Sequence, residues 1–321
     1  MPSYSGVWTL PAQLQAKAQG NWPLPPLSGD IGLFGGGSTP SNVIDYISIA
    51  STGNSTDFGD LTVARGNLAG CASSTRGIFG GGILDTNAVT NVIDYVTINT
   101  TGNATDFGDL TVARNNLAGL SSSTRGVFIS GRTANGPTLT SVIDYITIAS
   151  TGNATSFGTI SPDTQGLTAF ASPTRGVYGA GSDTAATSAI GYITIASTGN
   201  STSFGNLTVA RRSTPAGCSN DTRGVFAGGE NAAGNASVNV IDYVTIATTG
   251  NATDFGDLVS IQQLLAGCSN STRGVFGGGT GSPTSAITYI TFATTGNSTA
   301  FGNLSATVNS LAACSNAHGG L

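Results

Sequence analysis

The sequence predicts an all-β protein closed into a ring of six four-stranded blades, a six-bladed β-propeller. Three observations predict it. A Thr-Gly-Asn element recurs six times, starting at residues 52, 101, 151, 198, 249 and 295, so the copies are 46–51 residues apart. Each repeat holds four short runs of strand character, which is the blade unit of a propeller. The first and last copies are complementary fragments. "DIGLFGGG" at 30–37 aligns with "TRGIFGGG" at 75–82 but lacks the strand that precedes it, and "LAACSNAHGGL" at 311–321 supplies that strand. Joining the two completes a blade and removes exposed sheet edges, whereas a linear solenoid would need a polar cap at each end.

Composition agrees with the repeat. The 321 residues include 47 Gly but only 11 Lys or Arg and 16 Asp or Glu, with Glu230 the only Glu and Lys17 the only Lys. Helical surfaces draw on Glu, Lys, Ala and Leu; a chain made largely of Gly, Ser, Thr, Asn, Val and Ile favours strands and tight turns. A net charge of −5 lacks the clustered cations a phosphate backbone requires, so no nucleic-acid partner is expected. No apolar run reaches 18 residues, and membrane insertion is not expected. The opening "MPSYSGVWTLPAQLQ" has no basic region followed by an apolar run, so no secretory signal peptide is expected.

Each element follows from the repeat. In the second copy, strands are expected at Gly77–Gly81, Val92–Asn99, Ala104–Leu110 and Leu117–Ser122. From the axis outwards a blade reads "LAGCS", "RGVFG", "VIDYVTI" and "TDFGDL". The third strand is apolar on both faces apart from Asp94, as expected of a sheet covered on both sides. Thr-Gly-Asn is then the turn into the outer strand, with Asn suited to a left-handed conformation and the following Phe directed into the blade. Its six Asn-X-Thr triplets match a glycosylation acceptor, but without a leader they are expected to be turns and not modified sites.

Antiparallel order places the Thr-Arg-Gly and Thr-Gly-Asn turns on one face of the ring, nearly constant between blades. The loops joining second and third strands lie on the opposite face and vary: "STPS", "ILDTNAVT", "RTANGPTLT", "SDTAATS", "ENAAGNASV" and "TGSPTS". Diversity on a constant scaffold is the pattern of a recognition surface; drift in solvated loops is the alternative. Asp85, Asn87, Arg132, Asn135, Asp183, Glu230 and Asn231 are the candidate contacts.

Residues that suggest chemistry fall mostly into repeat slots. Cys71, Cys218, Cys268 and Cys314 occupy one position, filled elsewhere by Leu120 and Phe170, so they are expected to be buried free thiols, with no disulfide, metal or other cofactor. Asp45, Asp94, Asp144 and Asp242 share a second slot, and Asp57, Asp106 and Asp254 a third. Repeated acids are expected to hold blades together, where a glycosidase would need a unique converging pair. The single His, His318, lies in a Gly-rich tail, which leaves no Ser–His or Cys–His pair. No catalytic residue is assigned. Arg76, Arg125, Arg175, Arg223 and Arg273 are expected to pair with an Asp or a carbonyl of their own or the next blade; a basic ring for an acidic partner is the functional alternative.

Residues 1–27 differ from the rest. "SGVWTLPAQLQAKAQGNWPLPPL" holds both Trp residues and reads as a short helix over roughly 11–19 followed by a stiff Pro-rich linker. Trp8, Leu10, Leu14 and Trp22 are suited to docking on another protein, since Trp is enriched among interface anchors. Folding back onto the propeller is the alternative.

Two resemblances follow. The diglycines Gly36-Gly37, Gly81-Gly82, Gly228-Gly229 and Gly278-Gly279, with Tyr46, Tyr95, Tyr145, Tyr192, Tyr243 and Tyr289, resemble the kelch type of propeller across 28–321. The kelch Trp is replaced by Phe58, Phe107, Phe157, Phe204, Phe255 or Phe301 at longer spacing, so kelch partners are not carried over. "GVWTLPAQLQAKAQGNWP" and the unit "TRGVFGGG…IDYITI…TGNATDFGDLT" resemble virion structural proteins of tailed bacteriophages, especially those of marine bacteria and cyanobacteria. That resemblance implies a virion location and a non-enzymatic structural role. The expected role is a tail-fibre or tail-tip adhesion component, docked to other virion proteins through 1–27 and touching host-surface glycan or protein. It would be present as a homo-oligomer or in several copies. Capsid decoration is the alternative role, and a carbohydrate-active enzyme the rival from another class.

Overall fold

The computed structural model describes residues 26–133, 138–182, 185–231, 236–280 and 285–317. These residues form no helix; they build six antiparallel blades arranged as a β-propeller. The expected N-terminal helix at 11–19 lies outside the described residues.

In blade 2 the strands run Ala69–Ala72, Arg76–Gly80, Val92–Thr97 and Thr105–Asp109 from the axis outwards. The expected limits hold to within two residues. Blade 1 is assembled from both ends of the chain: Ala312–Ser315 is its inner strand and pairs antiparallel with Ile31–Gly35, Leu33 lying opposite Cys314. Blade 4 departs from the pattern. Its outer strand extends over Thr202–Arg212 and takes a fifth strand, Glu230–Asn231, from the loop region of blade 5.

Every outer strand carries an irregularity in the same place, and those of blades 4 and 5 carry a second. In blade 2 Ile93 pairs with Gly108 but Asp94 pairs with Asp106, so Phe107 is the extra residue of a bulge. The bulge turns Phe107 into the blade, where its ring meets Tyr95 edge-on at 5.9 Å between centroids. The same Tyr–Phe pair recurs in all six blades at 5.9–6.1 Å, each such pair contributing about 0.5–1.5 kcal/mol beyond its area.

Seams between blades are packed by small-into-large contacts. The thiol of Cys71 lies against Gly126 of blade 3, where an added Cβ would come within 2.7 Å of the sulfur. Leu120 faces Gly176, Phe170 faces Gly224 and Cys268 faces Gly32 in the same way. One slot thus accepts Cys, Leu or Phe because the facing residue has no side chain. All four thiols are buried and unpaired.

The Thr-Gly-Asn element also works across seams. Asn103 Oδ1 accepts the backbone N–H of Asp60 in the preceding blade at 3.1 Å, while Gly102 and Ala104 donate to the carbonyls of Phe58 and Asp60. The other five Asn make the same contact. None of the six adopts a positive φ, which corrects the expectation of a left-handed turn residue. Asn is selected here as an acceptor reaching a neighbour's unpaired strand N–H.

Candidate functional site: the variable-loop face

The two faces of the ring differ in which polar contacts they carry. On the constant face, each guanidinium of Arg76, Arg125, Arg175, Arg223 and Arg273 stacks on the Tyr of its own blade at 4.3–4.7 Å. Each also donates to a carbonyl of the next blade, Ile148, Ile195, Ile246, Phe292 and Ile49 in turn. These arginines are blade-to-blade bolts, as expected, and half-buried. Blade 1 has Ile31 in the corresponding position, and there the backbone N–H of Leu27 donates to Asn99 O at 2.7 Å instead.

On the opposite face the outer-to-inner connections meet around the axis. Asn67 N–H donates to Ser310 O, Asn116 to Asn67, Gly166 to Asn116, Thr214 to Gly166, Leu264 to Ser213 and Ser310 to Leu264, all at 2.8–3.1 Å. The result is a closed circle of backbone hydrogen bonds, one per seam. It requires a positive φ at each donor, 59° at Leu264 for example, a conformation that the circle over-determines at a side chain ill-suited to it.

Beside this circle lies a polar hollow of about 270 Å³, lined by Asn116, Gln165, Gly166, Ser182, Arg212, Ser213, Thr214, Glu230 and Leu264. Its lining includes an ion pair that joins blade 4 to the blade 5 loop. Glu230 Oε1 accepts from Arg212 Nη2 at 2.8 Å and from Nε at 3.2 Å, while Oε2 accepts the Ser213 hydroxyl at 3.0 Å. Pairing of Glu230–Asn231 with Arg211–Arg212 fixes both side chains. A second hollow of about 140 Å³ opens between blades 3 and 4, lined in part by Pro162, Thr164, Tyr178, Gly191 and Ser201. The Tyr178 hydroxyl donates to Ser201 Oγ at 2.8 Å. Burial raises the Tyr178 pKa, and the Ser201 contact offsets only part of that.

The expected contact residues separate. Asp85 and Asn87 are exposed at the tip of the blade 2 loop, Asn87 with a φ of 61°. Arg132 ends the strand Arg125–Arg132, half-buried, its N–H bonded to Asn115 O. Glu230 is nine-tenths buried and holds Arg212, and Asn231 follows it half-buried. Asn135, Asp183, His318 and the docking residues Trp8, Leu10, Leu14 and Trp22 lie outside the described residues. Arg212, Ser213 and Gln165 were not anticipated. The signal for Arg212 was present in "TVARR", where the other copies of this connection carry one Arg, Arg65 or Arg114, or none.

Among the described residues no three His, Cys, Asp or Glu side chains converge as a metal site would require. No helix among them is long and apolar enough to cross a membrane. No protein-family model matches the chain, and no curated protein is similar to it in sequence.

Proposed function

We propose that this protein is a non-enzymatic binding component of a virion. Its variable-loop face takes a polar ligand of a host surface, glycan or protein, and residues 1–27 dock it to the particle. The observation that carries the binding role is the asymmetry between faces. The constant face commits its arginines to blade-to-blade contacts, whereas the variable face carries the exposed tip of the blade 2 loop at 85–88 and a polar hollow with an ion pair between blade 4 and the blade 5 loop. At about 270 Å³ the hollow lies just below the range of ~300–1,000 Å³ typical of small-molecule sites, a size suited to one sugar unit or one polar side chain. Weak single contacts multiplied over several copies would supply the strength of attachment.

The carboxylates of Asp94, Asp144 and Asp242 are each paired with a buried Arg, which favours a structural use of the repeated acids over a catalytic one. The virion location rests on the resemblance of the N-terminal segment and of the repeat to phage structural proteins. Tail attachment is preferred to capsid decoration because adhesion gives the variable face a use.

Binding of fluorescently labelled protein to host cells tests the reading. Loss of binding in the Arg212→Ala/Glu230→Ala double variant, with retention in Asn54→Ala on the constant face, is the expected result. Equal binding by both variants would remove the variable face from the account. Cryo-EM of the particle tests location separately: density at the tail is expected, density at the capsid would make it a decoration protein, and density at neither would overturn the virion assignment.

A further inference from the structure

The seam between blades 6 and 1 holds a binding site for a guanidinium cation, we propose, because it keeps the carboxylate and carbonyls that hold an arginine in other seams but lacks the arginine. The comparison is internal to the ring. Arg65, Arg114 and Arg211 sit at one repeat position, each with its carbonyl accepting the N–H of a diglycine-region residue, Gly37, Gly82 and Gly181. Val308 is at the same position by the same test, since its carbonyl accepts Gly279 N–H. The Asp slot is fixed by register: Phe34 lies opposite Asp45 as Phe79 lies opposite Asp94 and Phe226 opposite Asp242.

Three seams are complete, with Arg65–Asp94, Arg114–Asp144 and Arg211–Asp242 at 2.6–2.9 Å and all six side chains fully buried. Two seams have lost both partners, carrying Thr164 with Gly191 and Gln262 with Thr288. Only the sixth is half-changed. Asp45 is 5 % exposed; its Oδ2 accepts Ser305 N–H and the Ser55 hydroxyl, both at 2.9 Å, and its Oδ1 is buried without a partner.

The shape of the site supports the assignment. In the complete seam, Arg211 donates to the carbonyls of Phe226, Gly228 and Val240 and to Asp242 Oδ2. Their counterparts, Phe34, Gly36, Val43 and Asp45, line one cavity of about 50 Å³ together with Val308. Val43 is 40 % exposed at its rim, which gives an entry from solvent. A buried carboxylate without a counter-charge is costly, and a planar cation with several donors meets the carboxylate and the carbonyls together in a way that a point charge does not. The ligand is therefore a small guanidinium compound or an arginine side chain presented by a partner.

Methylguanidinium is the probe, followed by the melting temperature of the full chain at rising concentration with potassium chloride as the ionic control. The expected result is a rise of about 2 °C or more at ten times Kd, absent with potassium. Asp45→Asn should abolish the response. Val308→Arg should abolish it too and raise the starting melting temperature, because the chain then supplies its own guanidinium. A short Arg-containing peptide that competes with methylguanidinium would assign the site to a partner side chain; failure to compete would assign it to the free compound. No stabilisation, or the same stabilisation in Asp45→Asn, would overturn the site.

Discussion

Arg114 Nη1 lies 2.7 Å from Asp144 Oδ2 across the seam between blades 2 and 3, with both side chains fully buried. Burial lowers the Arg114 pKa, and the charge and hydrogen bond of Asp144 offset only part of the cost. Such a pair is weak as a net source of stability but expensive to break. Asp144→Ala, which leaves the guanidinium buried alone, is expected to destabilise by about 3–5 kcal/mol. Arg114→Met combined with Asp144→Leu should fall within about 1 kcal/mol of the parent or exceed it. Denaturant midpoints of the three proteins decide, and an Asp144→Ala variant no weaker than the double variant would remove the pairing argument.

Much of this ring was legible because the repeat compares the chain with itself. Leu120 and Phe170 in the cysteine slot marked it as an apolar packing position, and the split first blade marked closure. The partner of each repeated Asp was not legible. Arg65 and Asp94 are 29 residues apart and belong to different blades, so only the geometry of the seam joins them. The bulge at Phe107 was hidden for a different reason: alternation along "TDFGDL" gives an inward Phe whether or not a residue is inserted. On the variable-loop face, Glu230 emerged as the buried anchor of Arg212 and not as a projecting contact, since a two-residue strand pairing cannot be read from a Gly- and Asn-rich loop.

The outer seams predict a steric limit. A Cβ on Gly205 would come 2.0 Å from the carbonyl oxygen of Gly250 in the next blade. Gly205 does not occupy a positive-φ conformation, so Gly205→Ala tests space alone. The clash is with backbone and cannot be relieved by a rotamer; the expected loss is about 3 kcal/mol or more, at or beyond the upper end of ordinary overpacking. Asn251→Ala removes a single hydrogen bond to Asn206 N–H at the same seam and should cost much less. Calorimetry of the two variants that ranked them the other way would refute this account of the seam.

The buried thiols predict an alkaline weakness. Burial raises all four, that of Cys314 to about 12 from an ordinary 9.0. The folded state resists ionisation that the unfolded chain permits. The thiol contribution is therefore fully present below pH 9 and is lost as pH climbs towards the folded values. The slope per thiol is about 1.4 kcal/mol per pH unit in that window. Urea midpoints between pH 8 and about pH 11 should fall steeply for the parent and less steeply for Cys314→Val. Parallel slopes would show that the thiol does not ionise on unfolding.

Closure of the ring rests on a short C-terminal piece. Besides the strand pairing of Ala312–Ser315 with Ile31–Gly35, Asn316 forms a latch: its N–H donates to Ile31 O, its Oδ1 accepts Ile31 N–H at 2.7 Å, and its Nδ2 donates to Gly29 O at 3.1 Å. Removing 311–321 exposes the edge of Ile31–Gly35, all five residues of which are buried, and takes Cys314 from its place against Gly77. An open edge of this kind also invites pairing between chains. The expected outcome is loss of the cooperative melting transition together with self-association in sedimentation. Removing 318–321 alone spares every one of these contacts and should leave a cooperative transition, while Asn316→Ala should lower it without abolishing it. A cooperative, monomeric product of the longer deletion would mean that five complete blades hold the ring without the closing strand.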